Sequence, residues 1–188
     1  MKTIVFLFVL SISLQALQYK QGPMHQLAKL YGEELLQIFQ EVPVSIDPER
    51  IKKTPDSWKY IPFLHSEIAS TLTPISPFIY IPHAMFKDIQ SGQPDLNTIA
   101  VLYHEFTHYE RYKNRSAGYA LQYLTSRQHR IFEELYAIRT EMEFRDENNL
   151  SYDVDRKAKH FAGSVYMWAS EYKDAEAVLK TMWESVQD

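Results

Sequence analysis

His104-Glu105-Phe106-Thr107-His108 is the stretch where residue type and spacing together point to chemistry. Residues four apart on an α-helix project from the same side, so His104 and His108 would form a two-nitrogen clamp for one metal ion. Glu105 sits beside them, where it can reach a water held by the metal without being a ligand. Zinc lowers the pKa of such a water, and a neighbouring carboxylate can take its proton as hydroxide attacks a carbonyl carbon. Helical phase supports this use. On a helical wheel Ile99, Leu102, Tyr103, Phe106 and Tyr109 cluster opposite the two histidines. The helix can therefore bury its back and present both imidazoles and Glu105 to a cleft.

Two histidines need a third protein ligand. A metzincin-type extension would place Gly at position 111 and His at position 114, and this chain has Arg111 and Asn114. The alternative is a glutamate from a later helix, and Phe132 to Glu141 supplies several. Ile131, Leu135, Ile138 and Met142 form the apolar stripe of that helix, with Glu134 and Glu141 along one flank and Glu133 pointing away from it. Phase therefore selects Glu134 as the third ligand. Glu141, nearly two turns on, is placed to orient a ligand histidine or to pair with Arg139. His129 is a competing ligand, but it lies far from the phase of Glu134. Peptide hydrolysis also needs a group that stabilises the oxyanion, for which Tyr152 and His160 are the candidates downstream. His65 and His83 fall in the strand region, and His83 could approach the cleft.

HEFTH followed by EELYA resembles the gluzincin branch of the zincin metallopeptidases, in which HExxH is joined by a Glu from an ExxA-type helix. The resemblance covers roughly residues 78 to 141. It implies that His104, His108 and Glu134 bind Zn2+, that Glu105 is the general base, and that the substrate is a peptide or protein. It also implies that Phe78 to Ile81 is an edge strand, along which an extended substrate would lie antiparallel. The alternative reading is a binding or regulatory protein that keeps the zincin fold, and even the zinc, but cleaves little.

The elements that must position these residues can be traced along the chain. Met24 to Glu41 reads as an amphipathic helix ended by Pro43, and Val42 to Ile46 alternates like a short strand. Five prolines between Asp47 and Pro77 limit that stretch to short strands and turns. Phe78 to Ile81 is the clearest strand, closed by Pro82. After a turn at Ser91 to Pro94, Asp95 to Asn97 offer caps for a helix running to about Lys113. Gly118 interrupts the next segment. A long helix then covers about Ser126 to Glu147, with Thr125 and Gln128 spaced as a capping box. Asp155 to Glu171 and Lys173 to Gln187 read as two further helices. The sum is α+β without βαβ alternation. The zincin-like expectation is a small N-terminal antiparallel or mixed sheet, an active-site helix and C-terminal helices.

The chain has 188 residues, 45% of them hydrophobic, enough for a single well-buried core. Residues 1–16, MKTIVFLFVLSISLQA, have the charged start, apolar run and small final residue of a secretory signal peptide. Residues 17–188 would then form one domain, secreted or periplasmic, with no stable membrane span after cleavage. Cysteine is absent, which excludes disulfides, thiolate nucleophiles and Cys-based zinc sites. A net charge of −4 offers no basic surface for nucleic acid. The thirteen tyrosines fit either amphipathic core edges or an aromatic-lined cleft.

Overall fold

The computed structural model describes residues 44–60, 69–71, 76–163 and 170–187. The signal-like segment, the helix expected at Met24 to Glu41 and His65 lie outside them. Three short strands, β1 (Ile51–Lys53), β2 (Ser70–Thr71) and β3 (Ile79–Ile81), form a mixed sheet in the order β1-β3-β2. β1 pairs parallel with β3 and β2 pairs antiparallel with it. Ile79 and Ile81 are fully buried, while Tyr80 between them turns to the other face and meets the Trp58 ring at 4.6 Å.

The strand at Phe78 to Ile81 is therefore present, but it is not an edge strand. Its backbone is paired on both sides, and the outer strands among the described residues are β1 and β2. The pattern that makes it easy to find, alternate isoleucines of high β-propensity, marks the strand that the sheet buries most deeply. It says nothing about which strand forms the rim. Val44 to Ile46 forms no strand, although Val44 and Ile46 pack against the sheet's apolar cluster. A 3-10 turn at Pro48–Arg50 follows, capped by the Asp47 carboxylate.

The rest is helical. Helix α1 (His83–Gln90) begins directly after Pro82, in a stretch whose sequence suggested only strand and turn. Met85, Phe86 and Ile89 settle it on the sheet. Gly92, at φ 79°, makes the turn that follows, a backbone conformation that glycine adopts at little cost. Helix α2 (Leu96–Tyr112) is capped by Asp95, which accepts from the Asn97 amide at 2.7 Å. Leu102, Phe106 and Tyr109 pack its back against the sheet, whereas Tyr103 stacks on Phe144 at 4.7 Å.

Helix α3 (Ala117–Thr125) runs through Gly118 instead of breaking there. Gly118 is the second helical residue, and its amide is one of those with no intrahelical partner in any helix. Helix α4 (Arg127–Glu147) is capped by Ser126, which accepts from the His129 amide at 3.2 Å. The cap is thus Ser126, one residue after the expected Thr125. Thr125 instead donates to the Leu121 carbonyl at 2.9 Å and closes α3. Asn149, in the left-handed region at φ 55°, stops the chain from continuing α4.

Helices α5 (Val154–Phe161) and α6 (Tyr172–Gln187) complete the chain. α5 is shorter than its sequence expectation, and residues 164–169 lie outside the described set. Leu135, Ile138 and Met142 of α4 form a second apolar cluster with Ala158, Phe161, Val178, Leu179 and Met182. The molecule is accordingly α+β and mostly helical, with α4 packed between α2 on one side and the α5–α6 pair on the other. Among the described residues no helix is long and apolar enough to cross a membrane.

The cap assignment can be checked by chemical denaturation. Ser126→Ala should destabilise the fold by about 1 kcal/mol, and Thr125→Ala by less. The reverse order would return the cap to Thr125.

Candidate metal centre

Helices α2 and α4 lie directly against each other. His104 and His108 project from α2 into this seam, and Glu134 enters it from the second turn of α4. All three are buried, as is Glu105. His104 Nε2 lies 3.4 Å from Glu134 Oε2, and His108 Nε2 lies 3.4 Å from Glu134 Oε1. The three residues offer one ligand atom each, all within 4.8 Å of one another.

These residues fit a zinc ion. Ligand bonds of about 2.0–2.1 Å at tetrahedral angles separate the ligand atoms by about 3.4 Å; His104 Nε2 stands at that separation from Glu134 Oε2 and His108 Nε2 from Oε1, and one atom from each residue lies within 4.8 Å of the others. Two imidazoles and one carboxylate make a donor set used by catalytic zinc, with a fourth position left for water or substrate. Glu134 Oε2 is buried and accepts no hydrogen bond, with His104 Nε2 3.4 Å away, so it is an oxygen that a cation could partner.

Electrostatics in the seam are strongly coupled. Burial pushes the Glu134 carboxyl up, but His108 and His104 outweigh it and hold the group well below the usual carboxylate range. Burial and the Lys157 charge work against a proton on His104. Glu134 and Glu141 prevail, and its pKa is raised from 6.5 to about 9.

Each neighbouring carboxylate has its own partners. Glu141 Oε2 lies 3.5 Å from His104 Nδ1, with Lys157 Nζ 3.0 Å from the same oxygen and Arg145 Nε 3.0 Å from Oε1. Of the two roles the sequence left open for Glu141, its position is the one toward His104, whose Nδ1 makes no hydrogen bond. Arg139 pairs with Glu143 instead, at 2.7 Å. Glu133 is completely buried and is not part of the trio. It accepts from Arg111 Nε and NH2, each at 2.7 Å, and from the Tyr119 hydroxyl at 2.5 Å. The guanidinium also lies 3.6 Å from the centre of the Tyr136 ring.

The other candidates fall elsewhere. Tyr152 packs on Trp183 with Arg145 over its ring, His160 is exposed on α5, and His83 is exposed on α1. His129 meets the Tyr119 ring edge-on at 4.6 Å and is not among the clustered ligands. Two tyrosines that sequence reasoning missed stand at the site. The Tyr123 hydroxyl, from α3, donates to Glu134 Oε1. Tyr112 is buried with its ring 6.4 Å from that of His108. Burial, followed by the Glu133 charge, pushes the Tyr112 phenol far up, so it keeps its proton. Tyr112 had a signal, because it continues the His104–His108 face one turn on. Tyr123 had none, since its reach depends on how α3 folds back.

Two tests follow from this geometry. Glu134→Ala should weaken zinc binding by more than the about 10–100-fold that outer contacts are worth. Glu133→Ala should instead destabilise the fold by about 3–5 kcal/mol by stranding Arg111. The opposite ordering of metal affinities would transfer the ligand role to Glu133. The second test concerns pH. Without metal, the raised His104 pKa gives stability that is full below 6.5 and lost as pH rises through about 9. Zinc must displace that proton, so below about 9 this group alone should raise apparent affinity roughly tenfold per pH unit. Calorimetry across pH 6–8 should also find proton release, and a flat profile would contradict it. No protein-family model, curated protein or solved structure matches the chain, so its chemistry has to be read from the seam itself.

Proposed function

We propose that the chain is a zinc-dependent metallopeptidase in which His104, His108 and Glu134 hold the metal and Glu105 is the general base. The observation that carries this reading is the convergence of two imidazoles and one carboxylate from two helices, with ligand atoms within 4.8 Å of one another, on a helix of HExxH sequence. When bound, zinc supplies an acidified water and polarises the scissile carbonyl. Glu105 would be the residue to take up a proton from such a water and hand it to the leaving amine. Tyr112, which keeps its proton, stands with its ring 6.4 Å from that of His108 and is the candidate donor to a developing oxyanion. Tyr123 restrains Glu134 through Oε1.

The fuller reading is a zincin-like fold of the gluzincin branch, exported through residues 1–16. A mixed sheet against the HExxH helix, followed by a helix bearing the third ligand, supports it. Because β3 is already paired on both sides, an extended peptide would have to add to an outer strand. β2, which packs against α2, is the better placed of the two.

The burial of all three ligands and of Glu105 favours a second reading, a zinc-holding binding or regulatory protein that cleaves little. One experiment separates the two. Purified protein should contain about one zinc per chain. Glu105→Gln should keep the zinc and lose hydrolysis of a peptide library by about 10²–10⁴-fold. Wild-type protein that holds zinc but hydrolyses no faster than the variant would select the second reading. Failure to bind zinc after supplementation would reject both.

A further inference from the structure

Lys157 extends the metal centre beyond the two helices that hold its ligands. It sits on α5, next to Ala158, which is buried in the apolar cluster joining α5 and α6 to α4. Its Nζ lies 3.0 Å from Glu141 Oε2, the same oxygen that faces His104 Nδ1 at 3.5 Å. The other carboxylate oxygen, Oε1, accepts from Arg145, whose NH1 in turn donates to Asn97 Oδ1 at 2.8 Å. Arg145 alone would leave the carboxylate free to turn about its last bond. A second cation on Oε2 fixes the plane and aims that oxygen at His104.

The consequence falls on the imidazole. A carboxylate held opposite Nδ1 keeps the ring proton there, which leaves the Nε2 lone pair on the side of Glu134, where a metal would need it. We propose that Lys157 is a positioning residue of the metal centre, acting on His104 through Glu141. α5 is then part of the zinc site, although it contributes no ligand. This inference rests on the zinc reading given above.

Competition with a chromophoric chelator, together with the visible spectrum of the Co2+-substituted protein, tests it. K157M should weaken zinc binding by about 10–100-fold and shift the Co2+ bands, while K157R should recover most of the affinity. E141Q should lose a similar amount, and K157M/E141Q should lose no more than E141Q, since one residue acts through the other. K157M leaves Glu141 with one cation fewer in a buried position and can fail to fold. In that case the comparison of K157M/E141Q with E141Q stands alone, and equal affinities are expected. Wild-type affinity and spectrum in K157M, or a double variant weaker than E141Q by a further tenfold or more, would overturn the role of Lys157 and leave the zinc reading intact. Wild-type protein that binds neither Zn2+ nor Co2+ would overturn the zinc reading, and this role with it.

Discussion

Helix α4 buries three carboxylates, Glu133, Glu134 and Glu141, in one helix of 21 residues. A carboxylate taken out of water without a partner is strongly destabilising, by several kcal/mol even after relaxation (about 3–5 when one partner of a buried pair is removed). α4 can therefore hold this position only if each acid is matched, and the matches come from every element around it. Glu133 takes Arg111 from α2 and Tyr119 from α3. Glu134 takes His104 and His108 from α2 and Tyr123 from α3. Glu141 takes Lys157 from α5 and Arg145 from its own helix. The packing of the helical part follows from satisfying these three groups together.

The same matching sets the register of α2 against α4. Arg111 lies one turn beyond His108, and Glu133 precedes Glu134, so the Arg111–Glu133 pair and the His108–Glu134 contact are adjacent rungs between the same two helices. A bidentate guanidinium–carboxylate pair tolerates little sliding or rotation. It holds Glu134 opposite the histidines without touching the site, while the apolar backs of both helices settle into separate clusters. Hydrophobic burial supplies the bulk of the attraction, and the charged seam decides which alignment is adopted.

Much of this was legible in the sequence because it depends on phase within a single helix. The placement of His104 and His108 on one face, the apolar back at Leu102, Phe106 and Tyr109, and the separation of Glu134 from Glu133 all follow from a period of 3.6 residues. What depended on partners from other elements was not legible. Glu133 gave no sign that Arg111 would draw it into the interior. Tyr123 and Lys157 reach the centre only because α3 folds back and α5 packs against α4. The edge strand failed for a related reason. A buried, β-branched strand is visible to local pattern, but strand order is a property of the whole sheet, and β1 and β2 come from the proline-rich stretch with the weakest periodicity.

On the zinc reading, the charges in the seam would favour a metal over a proton. Glu134 draws its compensation from His108 first and then His104, and a proton on His104 is opposed by burial and by the Lys157 charge across Glu141. The imidazolium is then placed among groups of which one, Lys157, repels it. A metal held by His104, His108 and Glu134 would supply the positive charge that the carboxylate needs. His104 would then keep its proton on Nδ1, the nitrogen that faces Glu141 at 3.5 Å. The Lys157 charge would serve there to hold Glu141 in place. The cationic partners of Glu141, read this way, match a neutral histidine that binds metal better than a histidine that serves only as an ion-pair partner.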